Sequence, residues 1–163
     1  MRFDVKNTIV VLALCVILSA QDDAAKAASE IKEIKSMIGK LIKLREKLED
    51  IQKQMKVAYD AKDKEKFEDL RMEEKNIQNE GNEINDRLGK KVNDFKLFID
   101  EAVSKSPDDY RLYEYRSDYR SLMLVHDGPG SYEDARKADS LKPNRPECLF
   151  RLARGLKMVN KYE

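Results

Sequence analysis

From Met37 onward the apolar positions advance in alternating steps of four and three, through Leu41, Leu44, Leu48, Ile51 and Met55 to Ala58. That is the a/d spacing of a coiled-coil seam, and it predicts a long amphipathic helix. Ile31, Ile34, Ile38 and Ile42 widen the stripe near its start, and the Asp and Ser residues of "QDDAAKAASE" offer caps ahead of it. A second seam runs through Phe67, Leu70, Ile77, Ile84 and Leu88, with Glu74 and Gly81 as its faults. The two seams are out of phase: counting on from Ala58 lands on Lys62, Glu65 and Asp69. An unbroken helix would therefore have to turn its apolar face away near residues 60–63. Either the chain folds back in "YDAKDKEKFED", with Asp60 or Asp63 capping a new helix and residues 21–89 zipping as an antiparallel coiled-coil hairpin, or one bent helix pairs with copies of itself. The hairpin is the expectation, although the turn contains neither Gly nor Pro. Gly89, with Lys90 and Lys91 behind it, predicts the end of the second helix.

Past Gly89 the periodicity changes. "AVSKSP" at 102–107 and "ADSLKP" at 138–143 each place an Ala five residues before a Pro, and the two prolines lie 36 residues apart. A repeat of that length is a signature of helical solenoids. Each proline is followed by a helical pattern, "DDYRLYEYRSDYRSLML" and then "NRPECLFRLARGLKMVNKYE". Leu149, Leu152, Ala153 and Leu156 follow a large, large, small, large order, and Tyr113, Arg116 and Ser117 stand at the corresponding places one unit earlier, closed by Ala138 and Pro143. On these residues the region 90–163 resembles the tetratricopeptide-repeat family, in which two antiparallel helices form each repeat and a proline closes the second. It departs from the family by about two extra residues around "DGPG" and by Arg116 where an apolar residue is usual. "CLFRLARG" is also similar to the "WRLAR" stretch of the microtubule-dynamics-regulator proteins, which carry comparable helical repeats. The resemblance implies a short array that binds another protein, with Arg111, Glu114 and Asp118 of one helix beside Phe150, Arg154 and Lys157 of the next on the concave side. It also implies that "NKYE" opens a second helix the sequence does not supply. Leu149, Leu152, Leu156 and Val159 would then form an open face for a second copy or a partner helix.

Composition sharpens the fold class. Charged residues make up 39% of 163 residues, with no Trp, six Gly and four Pro. This is the signature of long helices, so the expectation is an all-α chain. Residues 1–20 read as a signal peptide: Arg2 and Lys6 precede an apolar run from Thr8 to Ala20 that ends in small residues. Thirteen residues fall short of the roughly 20 that span a bilayer. The expected location is therefore secreted or periplasmic, and a membrane becomes a partner only if residues 8–20 stay as an anchor. Removing the leader takes the net charge of +1 to near neutrality, which leaves no excess for polyanion binding and no expectation of a nucleic-acid partner.

Little in the chain suggests chemistry. Cys148 is the one cysteine left after the leader; it sits among apolar residues and reads as a small buried hydrophobe. His126, in the turn-like "VHDGPG", is the only histidine, so no zinc site, metal or other cofactor is expected. There is no Gly-rich phosphate loop and no histidine beside a nucleophile, and Glu114 and Asp118 read as solvent-facing carboxylates one turn apart, so the chain is not expected to be an enzyme. Leu112, Tyr115, Tyr119 and Leu122 share one helical stripe, and neighbouring acids offset Arg116 and Arg120. The tyrosines of "DDYRLYEYRSDYRS" therefore read as packing rather than as a stacking surface for bases. The resulting expectation is a non-enzymatic adaptor with a protein or peptide partner; the alternatives are a structural coiled-coil homo-oligomer and a membrane-tethered helical-repeat protein.

Overall fold

A computed structural model describes the backbone of residues 5–160 and the side chains of residues 21–160. The chain forms five helices: α1 (Val5–Asp60), α2 (Lys64–Lys105), α3 (Tyr110–Arg120), α4 (Gly128–Leu141) and α5 (Pro146–Val159). No strand occurs among the described residues, and the fold is all-α. Two compact units share these helices, one made of Lys32–Asp94 and the other of Met1–Ile31 with Phe95–Glu163. The expected signal peptide at 1–20 and its anchor alternative at 8–20 fall where no side chains are described, and the last three residues of "NKYE" lie outside the described residues. Among those described, no helix is long and apolar enough to cross a membrane.

In the Lys32–Asp94 unit, Ile51 and Ala58 of the first seam are buried with Leu70 and Ile77 of the second, flanked by Leu44, Leu48, Met55 and Phe67. Partners step in opposite directions along the two helices. Glu33 pairs with Lys91 at 2.6 Å and Lys47 with Glu73 at 2.8 Å, while the Tyr59 and Phe67 rings lie 6.1 Å apart. These polar pairs sit at the rim, where each contributes under about 1 kcal/mol; the apolar seam between them holds the helices together.

The turn at 61–63 reverses the chain without glycine. Lys62 adopts a φ of 57°; the Asp63 amide donates to the Ala58 carbonyl and the Lys62 amide to that of Tyr59, each at 3.0 Å. This is a Schellman closure with lysine at the left-handed position. Asp63 then starts α2, its Oδ1 accepting from the Lys66 amide at 3.1 Å. Asp60, the other candidate cap, is the last residue of α1.

Gly89 does not end α2, contrary to the expectation from sequence. The stripe of Ile84 and Leu88 continues past it into Phe95, Ile99, Ala102 and Val103, all buried. A glycine inside a helix costs about 1 kcal/mol, less than the roughly 1.5–3 kcal/mol from burying one side chain such as Phe95 or Ile99. The helix stops at Lys105, two residues before Pro107.

In the other unit, Ala24, Ala27 and Ile31 of α1 are buried and the Lys26 ammonium lies 4.2 Å from the Phe98 ring centre. Phe95 packs at 5.3 Å, centroid to centroid, on Tyr119 of α3. Asp109 caps α3 by accepting from the Arg111 amide at 3.0 Å. The residues of "DGPG", which read as a turn, begin α4 instead: Asp127 is its N-cap, accepting from Gly130 N at 2.9 Å, and Pro129 lies in the first turn. Proline is favoured there because its missing N–H has no helical partner to lose. The reversal falls earlier, with His126 at a φ of 51°. α4 and α5 cross through two complementary notches. A Cβ on Gly128 would lie 2.9 Å from Met158 Cβ, and one on Gly155 would lie 2.9 Å from Tyr132 Cα.

Candidate functional site: the outer face of α5

The 36-residue spacing of the prolines extends into burial. Ile99 and Ala135, Ala102 and Ala138, and Leu112 and Cys148 are three pairs at that spacing, and none of the six residues is more than 1% exposed. α3 and α5 begin 36 residues apart, at Tyr110 and Pro146. The same spacing matches Tyr113, Arg116, Ser117 and Arg120 of α3 to Leu149, Leu152, Ala153 and Leu156 of α5.

On α3, α4 covers these positions. Ser117 is fully buried; its hydroxyl donates to the Ser131 carbonyl, and the Ser131 hydroxyl returns the bond to the Ser117 carbonyl, both at 2.9 Å. Arg116 grips Asp134 through Nε at 2.9 Å and Nη2 at 2.8 Å and reaches Asp100 at 3.1 Å. Burial opposes the Arg116 charge, but Asp134 and Asp100 outweigh it and its pKa is raised. Arg120 donates to the Gly130 carbonyl at 3.1 Å and pairs with Asp134 at 3.2 Å. The arginine where the repeat family has an apolar residue is thus neutralised by an acid on the covering helix.

On α5 three of the four matching positions are open. Leu149 is 55% exposed, Leu156 45% and the neighbouring Phe150 67%, with Ala153 exposed between them; Leu152 and Val159 are half-buried. Of the expected open face, Leu149 and Leu156 lie outermost, while Leu152 and Val159 turn partly inward.

Of the charged residues expected to line a concave surface, Glu114, Asp118 and Arg154 are brought together, in a network between α3 and α5, while Arg111 and Lys157 stay outside it. Glu114 is 5% exposed and Asp118 7%. This corrects the reading of both carboxylates as solvent-facing. Arg145 donates to Glu114 at 2.9 Å, with Arg151 at 3.3 Å; Arg151 and Arg154 donate to Asp118 at 3.0 and 2.6 Å. Arg154 also lies 5.9 Å from the exposed Phe150 ring, and Arg111 is held by Asp109 at 2.7 Å. Lys157 is exposed on α5. Arg145 and Arg151 were not among the sequence candidates, although their place one repeat after the acidic helix was a readable signal.

The tyrosine-rich helix packs. Tyr113 and Tyr119 are buried and Tyr115 half-buried, and Tyr110 holds Lys142 and Arg145 at 4.8 and 4.5 Å from its ring centre. Cys148 is buried, its Sγ donating to the Ala135 carbonyl at 3.2 Å, and burial pushes its thiol above the ordinary value. His126 is exposed. Among the described residues, no group of three or more His, Cys, Asp and Glu side chains is placed to hold a metal ion. Comparison with known proteins returns no matching family model, no matching curated protein and no matching solved structure.

Proposed function

We propose that this chain is a protein-interaction scaffold built on a tetratricopeptide-like helical repeat, and that it associates with a protein through the outer face of α5. One observation carries the reading: Ser117 is sealed beneath α4, whereas Ala153, 36 residues on, stands exposed between Leu149 and Leu156. A helix face that one repeat buries and the next leaves open is the surface on which such arrays take up another helix. No reactive group is invoked, since surface complementarity is the mechanism. A photo-reactive residue in place of Phe150, compared with one in place of Leu97, which is 72% exposed on α2, tests it in the full chain. Adducts to a protein from position 150 but not 97 support the reading; equal yields, or none, overturn it.

The N-terminal pattern supports export as the setting of this function. N-terminal sequencing of the mature protein should find Gln21 first; a chain that retains residues 8–20 is membrane-tethered instead.

A further inference from the structure

We propose that the occupant of the α5 face is a second copy of this chain, docked as an antiparallel α5 pair about a two-fold axis at Ala153. The inference rests on the scaffold reading above and names its partner. At 100° per residue, Leu149, Phe150, Ala153, Leu156 and Lys157 fall on one side of the helix, and all five are exposed. Ala153 stands at the centre, with bulk one turn before it and one turn after. The crossing one repeat earlier puts small residues on both sides of the contact: Ser117, 36 residues before Ala153, meets Ser131 of α4. A helix approaching Ala153 must likewise bring a small residue, and a second α5 brings Ala153 itself.

The remainder of the face is self-complementary in the same arrangement. A two-fold axis through Ala153 sets Leu149 and Phe150 of one copy against Leu156 and Lys157 of the other. It keeps the same flank of both helices together, so Lys157 near one end of α5 comes level with Glu147 near the other end of its mate, where it can also lie over the Phe150 ring. Both charges are exposed in the single chain, Glu147 with 59% of its side chain open. Such an isologous contact closes at two copies. With three large apolar side chains per copy it belongs at the small end of specific interfaces, near about 1,000 Å², and gives a dimer that dissociates in the micromolar range.

Sedimentation equilibrium of the full chain is the test. A concentration-dependent dimer is expected. Leu156→Glu should raise its dissociation constant more than about a hundredfold, because both copies lose a buried leucine, and Leu97→Glu should leave it unchanged. Lys157→Glu should raise the constant about tenfold, and adding Glu147→Lys should bring it back, a rescue that a folding defect cannot mimic. A chain that stays monomeric to about 100 µM, beyond the range in which such small interfaces are populated, overturns the proposal, as does a dimer indifferent to Leu156→Glu. A different protein as the sole adduct from position 150 also overturns the dimer while leaving the scaffold reading in place; no adduct removes both.

Discussion

Ser117 and Ser131 are bonded to each other's main chain, each hydroxyl donating to the other's carbonyl at 2.9 Å with the two oxygens 3.1 Å apart. The pair lets α3 and α4 touch with no side chain larger than a hydroxymethyl between them. Ser117→Ala should cost about 1 kcal/mol and Ser131→Ala the same, since each removes a buried hydrogen bond. Because the two hydroxyls are also in contact with each other, the double variant should depart from the sum by about 0.5–1 kcal/mol. Ser117→Leu forces the helices apart and should cost about 3 kcal/mol. Urea unfolding of the four variants measures this.

Asp118 receives Arg151 and Arg154 in a nearly closed site. Asp118→Ala takes the acceptor from Arg154 and leaves Arg151 its 3.3 Å pair with Glu114, and should lower stability by about 3 kcal/mol, as breaking buried pairs does. Lys47→Ala, at an exposed pair, should cost under about 1 kcal/mol. Paired denaturation curves of the two variants check the contrast, and equal losses would contradict the network's buried character.

Cys148 offers a reading of pH. Its thiol is raised in the folded chain by burial, while in the unfolded chain it titrates near its ordinary value of about 8.5. The stability linked to it is therefore whole below that value and is lost as pH rises through the folded pKa. Alkylation at pH 8 should label Cys148 slowly in the native protein and rapidly in urea; fast native labelling would show the thiol to be open.

Lys62 is the one left-handed residue of the α1–α2 turn. A residue with a Cβ pays about 1–2 kcal/mol in that conformation, and glycine recovers it at an entropic cost of about 0.5–1 kcal/mol. Lys62→Gly should accordingly raise the urea midpoint slightly, by less than about 1 kcal/mol in stability. Lys62→Val, β-branched at a positive φ, should lower it.

The seams were legible because heptad spacing is a property of neighbouring residues: Met37 to Ala58 and Phe67 to Leu88 announce two helices, and their phase mismatch announces the break. The turn's chemistry was harder to read, since Lys62 occupies a conformation that glycine usually signals. Gly89 misled for the converse reason: a local helix-stop signal was outweighed by Phe95 and Ile99, whose partners lie far along the chain. The 36-residue echo of "AVSKSP" in "ADSLKP" is matched by the burial of Ala102 and Ala138. It did not tell that Glu114 and Asp118 face inward, because that depends on Arg145 and Arg151 arriving from a later helix.

The notches at Gly128 and Gly155 make the seat of α5 a matter of tenths of an ångström. A methyl group at Gly155 would lie 2.9 Å from Tyr132 Cα, so the two helices must shift apart. The displaced helix would carry Arg151 and Arg154 with it, loosening their hold on Asp118, a residue the methyl never touches. Gly155→Ala should then resemble Asp118→Ala in its stability loss and, by tilting α5, should also disturb whatever rests on Leu149 and Leu156. The smallest side chain in the helix thus sets the aim of its largest ones.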